Sequence, residues 1–123
     1  LPGRGNAVTV SRIVENLPAH VVYGAPGYLA LNIHTVLAGD LMSDILVSVN
    51  TDALLVTSLA TEQTVRSADI VGAPAILLVN DKLPLQSMKD LAIECGITLL
   101  ATPMPMFETC VTLGCLQQSD ETY

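Results

Sequence analysis

The sequence predicts an α/β domain built on a mainly parallel sheet of about five strands, and three observations predict it. Between Ala53 and Leu116 one unit recurs: a short apolar run, an abrupt small or polar residue, then a stretch with helical spacing. The runs are Ala53 to Val56 closing on Thr57-Ser58, Ala75 to Val79 closing on Asn80-Asp81, and Ile97 to Leu100 closing on Ala101-Thr102. Continuous apolar runs alternating with amphipathic segments are the mark of strands buried on both faces by crossover helices. The composition agrees, because 50% of the residues are hydrophobic while aromatics are limited to three tyrosines and one phenylalanine. Such a core must be packed from Val, Ile, Leu, Ala and Met, which suits layered α/β architecture.

The elements follow in order. Thr9 is placed to cap a first helix, with Val10, Ile13, Val14 and Leu17 at i, i+3, i+4 and i+7 before Pro18 ends it. His20 to Tyr23 reads as a short strand closed by Gly24-Ala25-Pro26-Gly27. Tyr28 to Leu37 is apolar with Asn32 and His34 interleaved, which fits one strand that is polar on one face. Asp40 is placed to cap a helix running to about Val49, whose apolar stripe is Leu41, Met42, Ile45, Leu46 and Val49. After the strand at Ala53 to Val56, Thr61 is the next cap, with Glu62 in the first turn where the helix dipole favours negative charge, and this helix ends near Gly72-Ala73-Pro74. Met88, Leu91, Ala92 and Cys95 form the clearest helical stripe, followed by Gly96 in the position of a C′ residue. The last helix starts after Pro103 or at Pro105, with Met106, Cys110 and Leu113 on one stripe and Phe107 and Val111 on another. Met104, Met106 and Phe107 read most simply as core packing near its start.

A chain of 123 residues is the length of one ordinary domain. The expected organisation is residues 1–7 as a tag or disordered start, 8–117 as a single domain, and 118–123 as a polar tail, fraying from Gln117 onward. Twelve acidic against five basic side chains give a net charge of -7, which repels phosphate backbones and anionic head groups and disfavours nucleic acid and membrane partners. No apolar stretch approaches the roughly 18 to 20 residues that span a bilayer. Cys95, Cys110 and Cys115 are odd in number and show no C-x-x-C spacing. They read as buried, reduced thiols of a cytoplasmic protein, with no metal or cofactor implied.

Sheets of this class bind ligands outside the carboxyl ends of their strands. There, Thr57, Ser58 and the free amides of the helix beginning near Thr61 could cradle a phosphate or carboxylate, although Thr and Ser also stand in such turns simply as caps. The candidate ligand-binding set is Thr57, Ser58, Thr64, Arg66 and Thr102. Arg66 is the nearest cation if it points toward the strand ends, but its place four residues after Glu62 favours an exposed ion pair. Asp40, Ser43 and Asp44 cluster at the next helix start, where paired carboxylates could hold a hard cation or do acid/base work; a cap plus a solvated side chain is the plainer reading. His20 and His34 lie on separate strands with no partner histidine. There is no G-x-x-x-x-G-K-[ST], no G-x-G-x-x-G after a strand, no G-x-S-x-G and no H-E-x-x-H. No catalytic residue is assigned.

Gly39-Asp40-Leu41-Met42-Ser43-Asp44-Ile45-Leu46, then Leu54-Leu55-Val56-Thr57-Ser58-Leu59, Gln63-Thr64-Val65-Arg66, Ala73-Pro74-Ala75-Ile76 and Met106-Phe107-Glu108 together resemble the DRTGG domain family, from about residue 8 onward. The family is similar to the N-terminal domain of HPr kinase, so the resemblance implies a three-layer α/β/α fold. Its members are accessory domains beside CBS domains, in some pyrophosphatases and in phosphotransacetylase-type proteins, and some standalone copies accompany iron-sulfur hydrogenase subunits. The resemblance therefore implies a regulatory or assembly module, commonly a homodimer, that senses a small anionic ligand or nucleotide or serves a larger enzyme. The family's Asp-Arg-Thr-Gly-Gly signature aligns with Ala30 to Val36, a stretch holding neither Arg nor Gly.

Overall fold

The computed structural model describes residues 7–45 and 52–119, apart from the side chains of Ser43, Asp44 and Ser119. The elements are β1 (Val8–Thr9), α1 (Val10–Asn16), β2 (His20–Tyr23), a 3-10 turn (Tyr28–Ala30), β3 (Asn32–Ile33), β4 (Thr35–Ala38), α2 (Met42–Ile45), β5 (Ala53–Thr57), α3 (Glu62–Val71), β6 (Ala75–Leu78), α4 (Gln86–Cys95), β7 (Thr98–Ala101) and α5 (Met106–Ser119). The main sheet has the order β2-β7-β6-β5-β4. Strands β4 to β7 are parallel, and β2 adds to β7 in the antiparallel sense. β1 and β3 make a separate antiparallel pair.

Strands β4 to β7 stand in the sheet in chain order, so every crossover steps in the same direction. With right-handed connections that geometry sends α2, α3 and α4 to one face. The period-two alternation of each strand then divides its side chains between two cores. Leu55, Ile76, Leu78 and Leu99 pack with Met42 and Ile45 of α2, Val65, Ala68 and Val71 of α3, and Met88 and Ala92 of α4. Leu54, Val56, Leu77 and Leu100 pack on the opposite face with Val10, Ile13 and Leu17 of the α1 region and Leu113 and Leu116 of α5. Every residue of β5, β6 and β7 is buried, which is why these strands read as unbroken apolar runs instead of alternating ones. The expected three-layer α/β/α architecture with a five-stranded, mostly parallel sheet is what the chain adopts.

Several local expectations are corrected. The single strand foreseen over Tyr28 to Leu37 is broken into the 3-10 turn, β3 and β4. Gly27 enters the turn in the left-handed region (φ 76°), and the Leu31 amide closes it on the Tyr28 carbonyl. The Tyr28 ring then lies against Gly24, where a Cβ would fall 2.4 Å from the ring's Cε1 atom, so any larger residue would force the ring to move. Thr61 occupies the N-cap position of α3 but makes no side-chain cap hydrogen bond; its carbonyl instead accepts from the Thr64 amide. α5 continues through Gln117 and Gln118, residues foreseen as tail, because Gln117 Nε2 donates to the His34 carbonyl at 2.8 Å. Of the Met104, Met106 and Phe107 cluster, the methionines pack against the core while Phe107 is 75% exposed. Cys95 and Cys110 are half-buried, with burial pushing both thiols up, but Cys115 is exposed on α5. The expected continuation of the second helix over residues 46–49 lies outside the described residues, as do the start before Ala7 and the tail after Ser119.

Two glycines test the backbone account in opposite directions. Gly96 ends α4 at φ 69°, with its amide returned to Ala92 and Ile93. Gly114 lies inside α5, where an added Cβ meets nothing within 4 Å. Gly96→Ala is expected to lose about 1 kcal/mol through left-handed strain, and Gly114→Ala to gain about 0.5–1 kcal/mol through helix propensity. Urea titrations of both variants check the signs.

Candidate functional site

The carboxyl edge of the sheet is organised by the parallel register. β4 pairs with β5 so that Ala38 stands beside Val56, and the Gly39 amide adds a further hydrogen bond to the Val56 carbonyl at 3.0 Å. Two places beyond that register, Asp40 arrives level with Ser58. Its Oδ1 accepts from the Thr57 hydroxyl at 2.8 Å and the Ser58 amide at 2.7 Å, and its Oδ2 accepts from the Ser58 hydroxyl at 2.6 Å. Asp40 was expected to cap α2, which begins at Met42; both its oxygens are directed instead to the end of β5. Strand pairing overrides the capping pattern, because a carboxylate aligned with three donors forms charge-assisted bonds stronger than one helix cap.

The electrostatics follow from this geometry. The Ser58 hydroxyl is the main influence holding the Asp40 carboxyl below its ordinary value of 3.8; the Ser58 amide, the Thr57 hydroxyl and the charge of Lys82 assist, over an opposing desolvation. Hydrogen bonds to the ionised form favour it. The Thr57 and Ser58 donors foreseen for an external anion are thus engaged by the chain's own carboxylate.

The other candidates are dispersed. Thr64 is buried in α3, and its hydroxyl donates to the Leu59 carbonyl at 2.7 Å, closing the turn that leads into the helix. Thr102 is buried beyond β7. Its hydroxyl donates to the Pro18 carbonyl at 3.2 Å and accepts from the Met104 amide at 3.3 Å, tying the sheet edge to the loop before β2. Arg66 is exposed and acts electrostatically on the Cys95 thiol. Ser43 and Asp44 lie within α2, and their side chains are outside the described residues. Among the described residues there is no group of three or more His, Cys, Asp or Glu able to hold a metal. His34 Nδ1 lies 3.0 Å from Asp52 Oδ2, at the amino ends of β4 and β5.

Sequence reasoning missed Lys82, a cation whose charge acts on Asp40. It lies in the chain 24 positions after Ser58 and follows a tight turn in which Asn80 and Asp81 both take left-handed angles (φ 60° and 58°). The Lys82 amide returns to the Val79 carbonyl, while the Asn80 and Asp81 amides donate to the Met104 and Thr102 carbonyls. Asn and Asp tolerate this conformation better than other side-chain-bearing residues. Asn80-Asp81 was noted as a strand closure, and the available signal was that a turn of this type throws the next residues outward over the rim. Those residues, Leu83 and Pro84, line a surface groove of about 420 Å³ with His20 and Val22 of β2 and Lys89 of α4.

No family model matches the chain, and no curated protein matches it. Among solved structures it is similar to the CBS and DRTGG domains of the regulatory region of Clostridium perfringens pyrophosphatase, a structure complexed with the activator diadenosine tetraphosphate. The sequences are 13% identical with a TM-score of 0.72, and the match covers 89% of this chain and 46% of that one. The chain thus spans about half the length of its structural neighbour. At this identity the likeness establishes the fold alone, a mixed α/β domain on a five-stranded, mostly parallel sheet.

The Asp40 contacts carry a signed pH dependence. A carboxylate depressed in the folded state stabilises fully above its unfolded value, and the contribution is lost as pH falls through the lower folded value. Asp40→Ala is expected to lose about 1 kcal/mol at pH 7, the low end for bonds to a charged group because the side chain is exposed. Asp40→Asn should remove the part of the stability decline that the wild type shows on acidification below about pH 4. Denaturant titrations from pH 7 down to pH 3 measure both.

Proposed function

We propose that this chain is a non-catalytic regulatory or accessory domain that forms a homodimer and senses a small anionic ligand. The observation that carries the reading is the internal engagement of the candidate hydroxyls. Thr57 and Ser58 hold Asp40, Thr64 holds Leu59, and Thr102 holds Pro18. Groups fixed in this way maintain a scaffold; a nucleophile or general base needs an open partner in reach of substrate. The fold likeness supports the same reading, since the neighbour is a regulatory region solved with a nucleotide activator. The sequence resemblance to DRTGG domains points in that direction independently of the comparison.

A nucleotide- or phosphate-binding module is the closest alternative, supported by the two lysines that flank the loop over the carboxyl rim. Assembly with a larger enzyme of the iron-sulfur hydrogenase or pyrophosphatase type is the second, supported by exposed apolar side chains at Leu83, Ile70, Ile93 and Phe107. Among the described residues no helix is long and apolar enough to cross a membrane, and three free cysteines suit a reducing cytoplasm.

A thermal-shift screen over adenine nucleotides, acyl phosphates and sugar phosphates tests the sensing reading. A dose-dependent rise with at least one class is expected, because a ligand bound only to the native state stabilises it by RT ln(1 + [L]/Kd). A flat response across the panel would favour a pure interaction module. Light scattering at tens of micromolar tests the dimer, and a strictly monomeric mass contradicts it.

A further inference from the structure

We infer that the groove between the β2 edge and the start of α4 is the anion site of this domain, shaped for a nucleoside phosphate. This rests on the sensing reading above and moves its ligand from the end of β5 to the opposite end of the rim. The β5 nest is already filled by Asp40. The groove lies at the same carboxyl edge, since His20 of β2 pairs with Ala101 at the carboxyl end of β7. Its volume of about 420 Å³ falls within the roughly 300–1,000 Å³ typical of small-molecule sites.

Charge supplies the first argument. The chain carries -7 overall and contains two lysines. Lys89, in the first turns of α4, belongs to this groove, whereas the charge of Lys82 acts on Asp40. Lys89 lines the groove directly and offers a compact charge suited to phosphate. The start of α4 adds to it, because Leu85 at the N-cap offers no side-chain acceptor and the first turn holds no acid, so nothing within the helix offsets the positive end of its dipole. The nearest acid on the helix, Asp90, accepts from Gln86 Nε2 at 2.9 Å.

The apolar half of the groove supplies the second argument. Val22, Pro84 and Leu83 form its wall, and Leu83 stands 77% exposed, a desolvation the fold leaves unclaimed. The exposed imidazole of His20 lies in the same groove, and histidine side chains are among those on which bases stack. A cation at one end and an apolar and aromatic surface at the other match a ligand with a phosphate and a planar apolar body. A free inorganic anion would use the first half alone.

The test is an NMR titration of the full 15N-labelled chain with AMP, and separately with adenosine and with inorganic phosphate. AMP is expected to shift the amides of His20, Val22, Leu83 and Lys89 saturably, while adenosine and phosphate each bind at least about tenfold more weakly. Lys89→Glu should weaken AMP by about tenfold or more, as loss of a charged hydrogen bond does. Lys89→Gln, the gentler variant, should weaken it in the same direction with the remaining spectrum unchanged. Phosphate binding as tightly as AMP overturns the nucleoside assignment. AMP shifts centred on Thr57 and Ser58, or an affinity indifferent to both Lys89 variants, overturn the groove while leaving anion sensing intact. A flat titration with all three probes also overturns the groove, and the thermal-shift panel then decides separately whether the domain senses another anion.

Discussion

Parallel pairing of β4 with β5 carries the Asp40 carboxylate past the last rung of the ladder and onto three donors at the end of β5. Much of the character of the carboxyl edge depends on that one contact. A strand end in a parallel sheet leaves an amide and hydroxyl-bearing side chains pointing out of the ladder, and these groups require partners. In many α/β folds a ligand phosphate supplies them. Here the chain supplies them itself, with a carboxylate that is exposed enough to stay ionised and near enough to Lys82 to be favoured in that state.

This internal anion changes what the rim is able to do. With Thr57 and Ser58 engaged, the positive features left at the carboxyl edge are displaced toward β2, where the β6 to α4 loop rises over the sheet. That loop is held by backbone bonds to the turn after β7 and by two consecutive left-handed residues. Such conformations persist where the surroundings over-determine them. The loop therefore holds Leu83 and Pro84 in place beside His20 with little contribution from their own burial.

The fold was legible because strands buried on both faces must be apolar throughout, and β5, β6 and β7 announce themselves by that pattern. His20 to Tyr23, the stop at Gly96 and the helix after Pro105 were legible for equally local reasons: a β-branched run, a left-handed cap and a fixed φ. The site was less legible, because its geometry is set by pairs far apart in the chain. Asp40 has the residue type and spacing of a helix cap, and only the β4 to β5 register reveals that it meets Ser58. Arg66 has the spacing of a helical ion pair, and it is exposed on α3. Tyr28 to Leu37 failed as one strand because Gly27 turns the chain, a local signal that the apolar pattern outweighed. Lys82 and Lys89 carry no motif, and only the fold shows that the loop between them walls a groove with a strand about sixty residues earlier.

The claim on which this account rests is that Asp40 acts as an internal anion for the end of β5, and a double-mutant cycle between Asp40→Ala and Ser58→Ala addresses it most directly. Urea unfolding of the wild type, both single variants and the double variant at pH 7 yields the coupling energy. Direct partners in one hydrogen-bond network couple by about 0.5–3 kcal/mol, and the account predicts a value near 1 kcal/mol, the Ser58 amide being retained in both backgrounds. Additivity within about 0.3 kcal/mol would contradict it, leaving Asp40 an ordinary solvated residue and the β5 nest open to an external ligand.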